Sequence, residues 1–178
     1  MPSPPSHTAD SHPPTSGAAS TAAKLGVPAV AFSGTSGSQV SYTTLSSDPN
    51  ATSTLAARLY ASLTTHFVQT LLAAAPDLAP TSILPNGTIL NVNYPSLDDC
   101  PDASAYKWIF TRNLWNPFAT DVETCGSDHL PDEASVVGRD GCYISVSVLG
   151  ASSKTDVGSE TQADVLAKLQ GLPLSCLP

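Results

Sequence analysis

The run Ser33-Gly-Thr-Ser-Gly-Ser38 is the first place where residue types suggest chemistry. Hydroxyls and glycines following the carboxyl end of a strand can form a backbone nest for phosphate. An ordinary Gly/Ser connection uses the same letters, and both readings stay open. The run is not a nucleophile elbow, because G-x-S-x-G requires glycine where Ser38 stands. A second cluster, Cys125, His129, Asp132 and Glu133, can be drawn as a metal site. Its spacing lacks the paired cysteines of structural zinc, and loop acids beside a disulfide cysteine account for it better. Asp98-Asp99 reads as a turn rather than a calcium or magnesium site. His66 has no acid placed to orient it as a base, and His7 and His12 fall in the amino-terminal leader. Trp108 and Trp115 suit packing on a β face or a subunit contact.

The elements that must position these residues are legible from periodicity and turn signals. Residues 1–15 are rich in Pro, Ser and His, which predicts a disordered leader ahead of a single domain over 16–178. Gly17 to Leu25 is Ala-rich and predicts a short helix capped by Gly26. Val27 to Ser33 is a short apolar run, the pattern of a strand buried on both faces. A long helix follows, capped by Thr52 or Ser53 and reaching Ala75, with Leu55, Leu59, Leu63, Phe67 and Leu71 recurring every four residues. Arg58, His66 and Gln69 interrupt that face, which excludes a membrane span. Thr88 to Tyr94 is a further strand, closed by Pro95. Tyr106–Arg112 and Cys142–Val148 alternate apolar with polar residues, which predicts antiparallel strands with one wet face. An acidic loop from Asp121 to Asp140 joins them, and Ser159-Glu-Thr-Gln162 reads as a capping box for a closing helix. The class is α/β, a sheet with a β extension and a final helix.

Composition sets the surroundings. The chain has 178 residues, with 7 Lys+Arg against 15 Asp+Glu, for a formal charge of −8. Such acidity argues against nucleic acid and against a polybasic membrane anchor. Four cysteines permit two disulfides in three connectivities. Cys125 and Cys142 flank the acidic loop, so the expected pairs are Cys125–Cys142 and Cys100–Cys176. Asn50-Ala-Thr52 and Asn86-Gly-Thr88 are glycosylation acceptors. Together with the cysteines they point to an extracellular setting. No signal peptide opens the chain, so a longer precursor is expected.

Several stretches carry a family resemblance. Leu25-Gly-Val-Pro-Ala-Val-Ala-Phe-Ser-Gly34 and Leu84-Pro-Asn-Gly-Thr-Ile-Leu-Asn-Val-Asn-Tyr-Pro95 resemble the survival protein SurE-like phosphatase/nucleotidase family. Thr120-Asp-Val-Glu-Thr-Cys-Gly-Ser-Asp128 and Val136 to Val148 are similar to its secreted fungal branch, as are Thr161 to Leu169 and Cys176-Leu-Pro178. The resemblance implies a Rossmann-like sheet, incomplete at its amino terminus, with an antiparallel β extension used in homo-oligomer contacts. It implies hydrolysis of phosphate monoesters, nucleoside monophosphates among them, with a divalent metal (Mg or Mn) held by an Asn-Asp-Asp-Gly motif. Neither that motif nor the family's S-G-x-N segment occurs in this sequence, so no metal ligand and no catalytic residue carries over. Ser16-Gly17 matches the family's phosphate-side S-G-T motif, with Ala18 in the third position. The leading expectation is therefore a phosphatase domain that is inactive as written. A non-catalytic binding or oligomerisation module is the alternative, and a secreted serine hydrolase is the third reading.

Overall fold

The computed structural model describes residues 14–98, 100 and 102–178. The predicted leader lies outside these residues, except that Pro14 already opens the first helix. Asp99 of the Asp98-Asp99 pair also lies outside, while Asp98 sits in a turn as expected.

In chain order the elements are α1 (Pro14–Lys24), β1 (Ala29–Gly34), α2 (Thr44–Ser47), α3 (Thr52–Ala73), α4 (Pro80–Ile83) and β2 (Thr88–Tyr94). A 3-10 turn (Ala103–Ala105), β3 (Lys107–Thr111), α5 (Glu133–Val137), β4 (Tyr143–Gly150) and α6 (Ser159–Lys168) complete them. The strands form one mixed sheet in the order β1-β2-β4-β3. This is the α/β class expected of the Rossmann-like type.

Register explains the layers. Side chains alternate across a strand, so each strand contributes one set of residues to each face. Val30, Phe32, Leu90, Val92, Ile144, Val146, Trp108 and Phe110 share the apolar face, against Leu63, Phe67 and Leu71 of α3 and Val165 of α6. Aromatic rings tie this layer from one edge of the sheet to the other. Phe67 meets Phe32 edge-on at 5.6 Å and tilts against Trp108 at 5.3 Å. The other face is apolar beneath α1, where Ala19 and Ala23 cover Ala31, Ile89 and Leu149, and at the buried Ile109 of β3.

Three expectations about the sheet are corrected. The region after β2 is not a separate antiparallel extension. β4 does run antiparallel to β2, but β3 pairs with β4 in parallel. A long connection carrying α5 separates β3 from β4, and a crossover of that kind lets two strands run the same way. The predicted wet face of β4 is sealed, with Ser145 and Ser147 fully buried. β1, whose apolar run suggests burial on both faces, is instead the edge strand and only half-buried along most of its length.

The helix caps differ too. Ala51, not Thr52 or Ser53, occupies the N-cap of α3, and Gly158 occupies that of α6. Gln162 does not close a capping box. Its side chain accepts the Val122 N–H and donates to Asp121. That contact belongs to a buried charge cluster. Arg112 Nη1 donates to both oxygens of Asp121, at 3.0 and 2.8 Å, while Asp121 also accepts the Leu130 N–H. Asp156 stands 3.5 Å from Arg112 Nη2 and accepts the Asn113 and Leu114 N–H groups.

The disulfides are Cys100–Cys142 and Cys125–Cys176, not the expected pairs. The cause is topological. Cys100 follows the carboxyl end of β2 and Cys142 precedes the amino end of β4, and antiparallel pairing brings those ends together with Cα atoms 5.6 Å apart. Cys176 rides on the tail that returns beside β3, where Leu174 bridges Trp108 and the Ser175 N–H donates to the Trp108 carbonyl.

Two outcomes follow. Non-reducing peptide mapping is expected to recover Cys100 with Cys142 and Cys125 with Cys176; a Cys125–Cys142 peptide would contradict the strand order. Asp121→Ala leaves Arg112 with a buried charge it only partly shares with Asp156, at an expected cost of about 3–5 kcal/mol in urea unfolding.

Candidate functional site

The polar face of the sheet is where chemistry-bearing side chains converge. Register sets Asn91 opposite Ser147, Asn93 opposite Ser145, and Ser33 beside Asn93. Thr111 on β3 lies next to Ser147. An amide or hydroxyl in such a layer must find partners, because burying an unpaired one costs about 1–3 kcal/mol. Ser33 Oγ donates to Asn93 Oδ1 at 2.6 Å, and Asn93 Nδ2 donates to Ser145 Oγ at 3.2 Å. Asn91 Nδ2 donates to Glu133 Oε2 at 2.9 Å, and Ser147 Oγ donates to the same oxygen at 3.1 Å. Thr111 and Ser147 hydroxyls share a 2.7 Å bond.

Among the described residues, Glu133 is the carboxylate that bonds this face, delivered by α5. Asp132 forms the helix's N-cap, accepting the Ser135 N–H at 2.9 Å, so the residue after it turns in over the sheet. Burial pushes the Glu133 carboxyl above its ordinary value of 4.5; bonds from Asn91 and Ser147 pull it down, and the charge of Asp156 adds to the rise. Sequence reasoning set Glu133 among the solvated loop acids and passed over Asn91. The available signal was the spacing of Asn91, Asn93, Ser145 and Ser147, polar residues at every second position of strands otherwise made of core residues.

Ser16 and Gly17 lie in the first turn of α1. The short link from Lys24 to Ala29 makes α1 run back along β1, with Ser16, Ala19, Ser20 and Ala23 buried on one side. The amino end of α1 is thereby set toward the carboxyl ends of β1 and β2, where Ser33 and Asn93 stand. Helix first-turn N–H groups and the positive end of the helix dipole suit an anion there.

The glycine-serine loop after β1 is a fastened connection. Its Ser36 N–H donates to Tyr60 Oη, Ser36 Oγ bonds Ser96 Oγ and accepts the Leu97 N–H, and the Thr35 N–H donates to the Tyr94 carbonyl. Gly34 lies so close to the Tyr60 ring that a Cβ there would sit 2.5 Å from it. Gly37 has φ +96, open to glycine but not to a side chain without strain. Neither Ser33 nor Ser36 bonds a base that would activate it as a nucleophile.

The second cluster disperses. Cys125 is in a disulfide, Asp132 caps α5, Glu133 turns inward, and His129 stays exposed. No three His, Cys, Asp or Glu residues among the described ones are grouped to hold a metal ion. The polar face does not fit a divalent cation either. Its donors are one carboxylate, held toward its neutral form, plus amides and hydroxyls already bonded to each other, whereas Mg or Mn takes carboxylates. What this arrangement can do is bind and orient. Tyr106, buried with its hydroxyl unpartnered and its pKa pushed up to about 12 by burial, supplies no acid or base near neutral pH. Asn50 and Asn86 are both exposed, while Thr88 of the second acceptor is buried with its hydroxyl on the Pro85 carbonyl.

A raised carboxyl pKa has a definite sign. The folded state binds the proton more tightly, so this group's stabilising contribution is present below the unfolded value near 4.5 and is lost as pH rises through the folded pKa. Glu133→Gln removes that loss. Its melting temperature relative to the parent is expected to be more favourable at pH 7 than at pH 4; the opposite trend would contradict the burial assigned to Glu133.

Comparison with known proteins bears on this site. The sequence model of the family described as "Survival protein SurE" matches residues 9–119, more than half of the chain. A protein named acid phosphatase from Yarrowia lipolytica (strain CLIB 122 / E 150) is 32% identical over 163 residues, covering 76% of this chain and 43% of that protein. The chain thus spans less than half the length of this relative. No solved structure matches.

Proposed function

Since the chain belongs to the SurE family, we propose that it forms the phosphate-holding side of a phosphomonoesterase, with Ser16 and Gly17 as its phosphate contacts at the first turn of α1. The observation that supports this reading is that α1 packs back along β1 and β2, which aims its amino end toward the end of the sheet where Ser33 and Asn93 are bonded to each other. An anion there faces neutral donors and a helix amino end, with Glu133 further along the face.

The reading also assigns a limit. The described residues bring together no carboxylate pair for a divalent cation, so in this reading the chain binds a phosphate monoester without turning it over. The family's divalent ion would supply charge neutralisation and an activated water, and its ligands are not among the described residues. Hydrolysis is then a property of a longer SurE-family protein. A bound ester would be oriented by Ser33 and Asn93, whose mutual hydrogen bond fixes both side chains.

Secretion belongs to the same reading, supported by the two disulfides and by the exposure of Asn50 and Asn86. No helix among the described residues is long and apolar enough to cross a membrane.

Two measurements test it. With p-nitrophenyl phosphate and Mg or Mn, the purified chain is expected to show no EDTA-sensitive release of nitrophenol; robust metal-dependent turnover would overturn the limit. Inorganic phosphate at ~100 times its dissociation constant is expected to stabilise the fold by ~2.7 kcal/mol. Loss of that gain in Gly17→Val, where an added Cβ meets open space, with the parent's unfolding midpoint otherwise kept, supports the α1 assignment.

A further inference from the structure

We propose that the Cys125–Cys176 disulfide is a site of thiol–disulfide exchange, a latch that a dithiol opens while Cys100–Cys142 stays closed. This goes beyond the phosphate reading and does not rest on it. The two disulfides sit in opposite surroundings. Cys100 is buried in the apolar layer, and Cys142 packs partly buried against the same layer. Cys125 and Cys176 are both exposed. Exchange requires a thiolate to reach a sulfur atom, so access separates the two bonds. A cleft of about 850 Å³ opens at the exposed pair, lined by Thr124, Cys125 and Ser127 of the acidic loop and by Leu174, Ser175 and Cys176 of the tail.

The backbone on the loop side adds a second distinction. Thr124 and Ser127 exchange main-chain hydrogen bonds at 2.9 and 3.0 Å, which makes Cys125-Gly126 a two-residue turn. Both central residues have positive φ, +56 at Cys125 and +75 at Gly126. Such turns favour Asn, Asp or Gly in the first position, because a Cβ in the left-handed region crowds the backbone. Cysteine is strained there, and the cross-link to the tail holds it in place. Opening the bond lets the turn relax, which favours the dithiol form.

The tail side is lightly fastened. Leu172 is buried, Leu174 bridges Trp108, and the Ser175 N–H donates to the Trp108 carbonyl at 2.9 Å. Among the described residues, no main-chain hydrogen bond joins the tail beyond Ser175 to the body of the domain. The disulfide supplies that fastening. When it opens, the last residues leave the edge of β3 and the cleft loses its tail wall. The exchange balances with the dithiol alone. One thiolate of the reagent attacks a sulfur, breaking the S–S bond and forming a mixed disulfide, and its second thiol displaces the remaining cysteine. The reagent is oxidised to its own disulfide, and its two electrons and two protons end on Cys125 and Cys176 as thiols. In an oxidising setting the latch stays closed.

Graded dithiothreitol on the native chain, quenched with iodoacetamide and read by peptide mass spectrometry, tests the selectivity. Cys125 and Cys176 are expected to become alkylated about tenfold faster than Cys100 and Cys142. Equal rates, or Cys100–Cys142 opening first, would overturn the proposal. Hydrogen exchange tests the latch itself. The singly reduced chain is expected to lose protection at the Thr124, Ser127 and Ser175 amides, with β2 and β4 still protected. Cys125→Ser combined with Cys176→Ser, which needs no reductant, is expected to show the same pattern. A singly reduced chain whose three amides stay as protected as in the parent would overturn the proposal as well.

Discussion

Glu133 closes the hydrogen bonds of a sheet face that cannot close them alone, and the rest of the fold is arranged around that constraint. Asn91 and Ser147 stand opposite each other on the two central strands and both donate to one oxygen of Glu133. Without that acceptor, the buried Asn91 amide in the middle of the sheet would lose its partner, at a cost of about 1–3 kcal/mol, while Ser147 would keep only its bond to Thr111. The acceptor comes from α5, which exists because Asp132 caps it and because the β3–β4 connection is long enough to fold back over the face. That same connection makes β3 and β4 parallel.

Much of the architecture was legible in the sequence. β2 occupies the expected Thr88–Tyr94 span, and α3 is the expected long helix, although Ala51 rather than Thr52 or Ser53 caps it. Leu63, Phe67 and Leu71 are buried as their four-residue spacing requires. Local patterns succeed here because hydrophobic periodicity reports which face is covered. They fail where tertiary partners decide. Gln162 has a capping-box position but is drawn to Asp121 and Val122, since a buried carboxylate bonded to Arg112 outweighs a local cap. The cysteine pairing followed strand order, which the spacing of four cysteines does not contain.

The candidate site was legible only in part. Ser33 was singled out for its loop, yet its structural partner is Asn93, sixty residues away. Ser16 and Gly17 came from family resemblance, and their place at the amino end of α1 follows from that helix doubling back along β1. Glu133 looked like one solvated acid among six in its loop. Its burial follows from the sealing of Ser145 and Ser147, residues that alternation alone assigns to solvent. Polar residues inside strands thus read as exposed until something is known to cover them.

The central claim is that the amino end of α1, together with Ser33 and Asn93, forms an anion site on a face otherwise short of charge. The most direct measurement is a titration of the isotopically labelled chain with inorganic phosphate, followed by amide NMR. Saturable shifts centred on Ser16, Gly17 and the Ser33–Thr35 amides are the predicted result. Absence of any saturable shift at those amides, or shifts confined to the His129 and Trp115 surface, would contradict it.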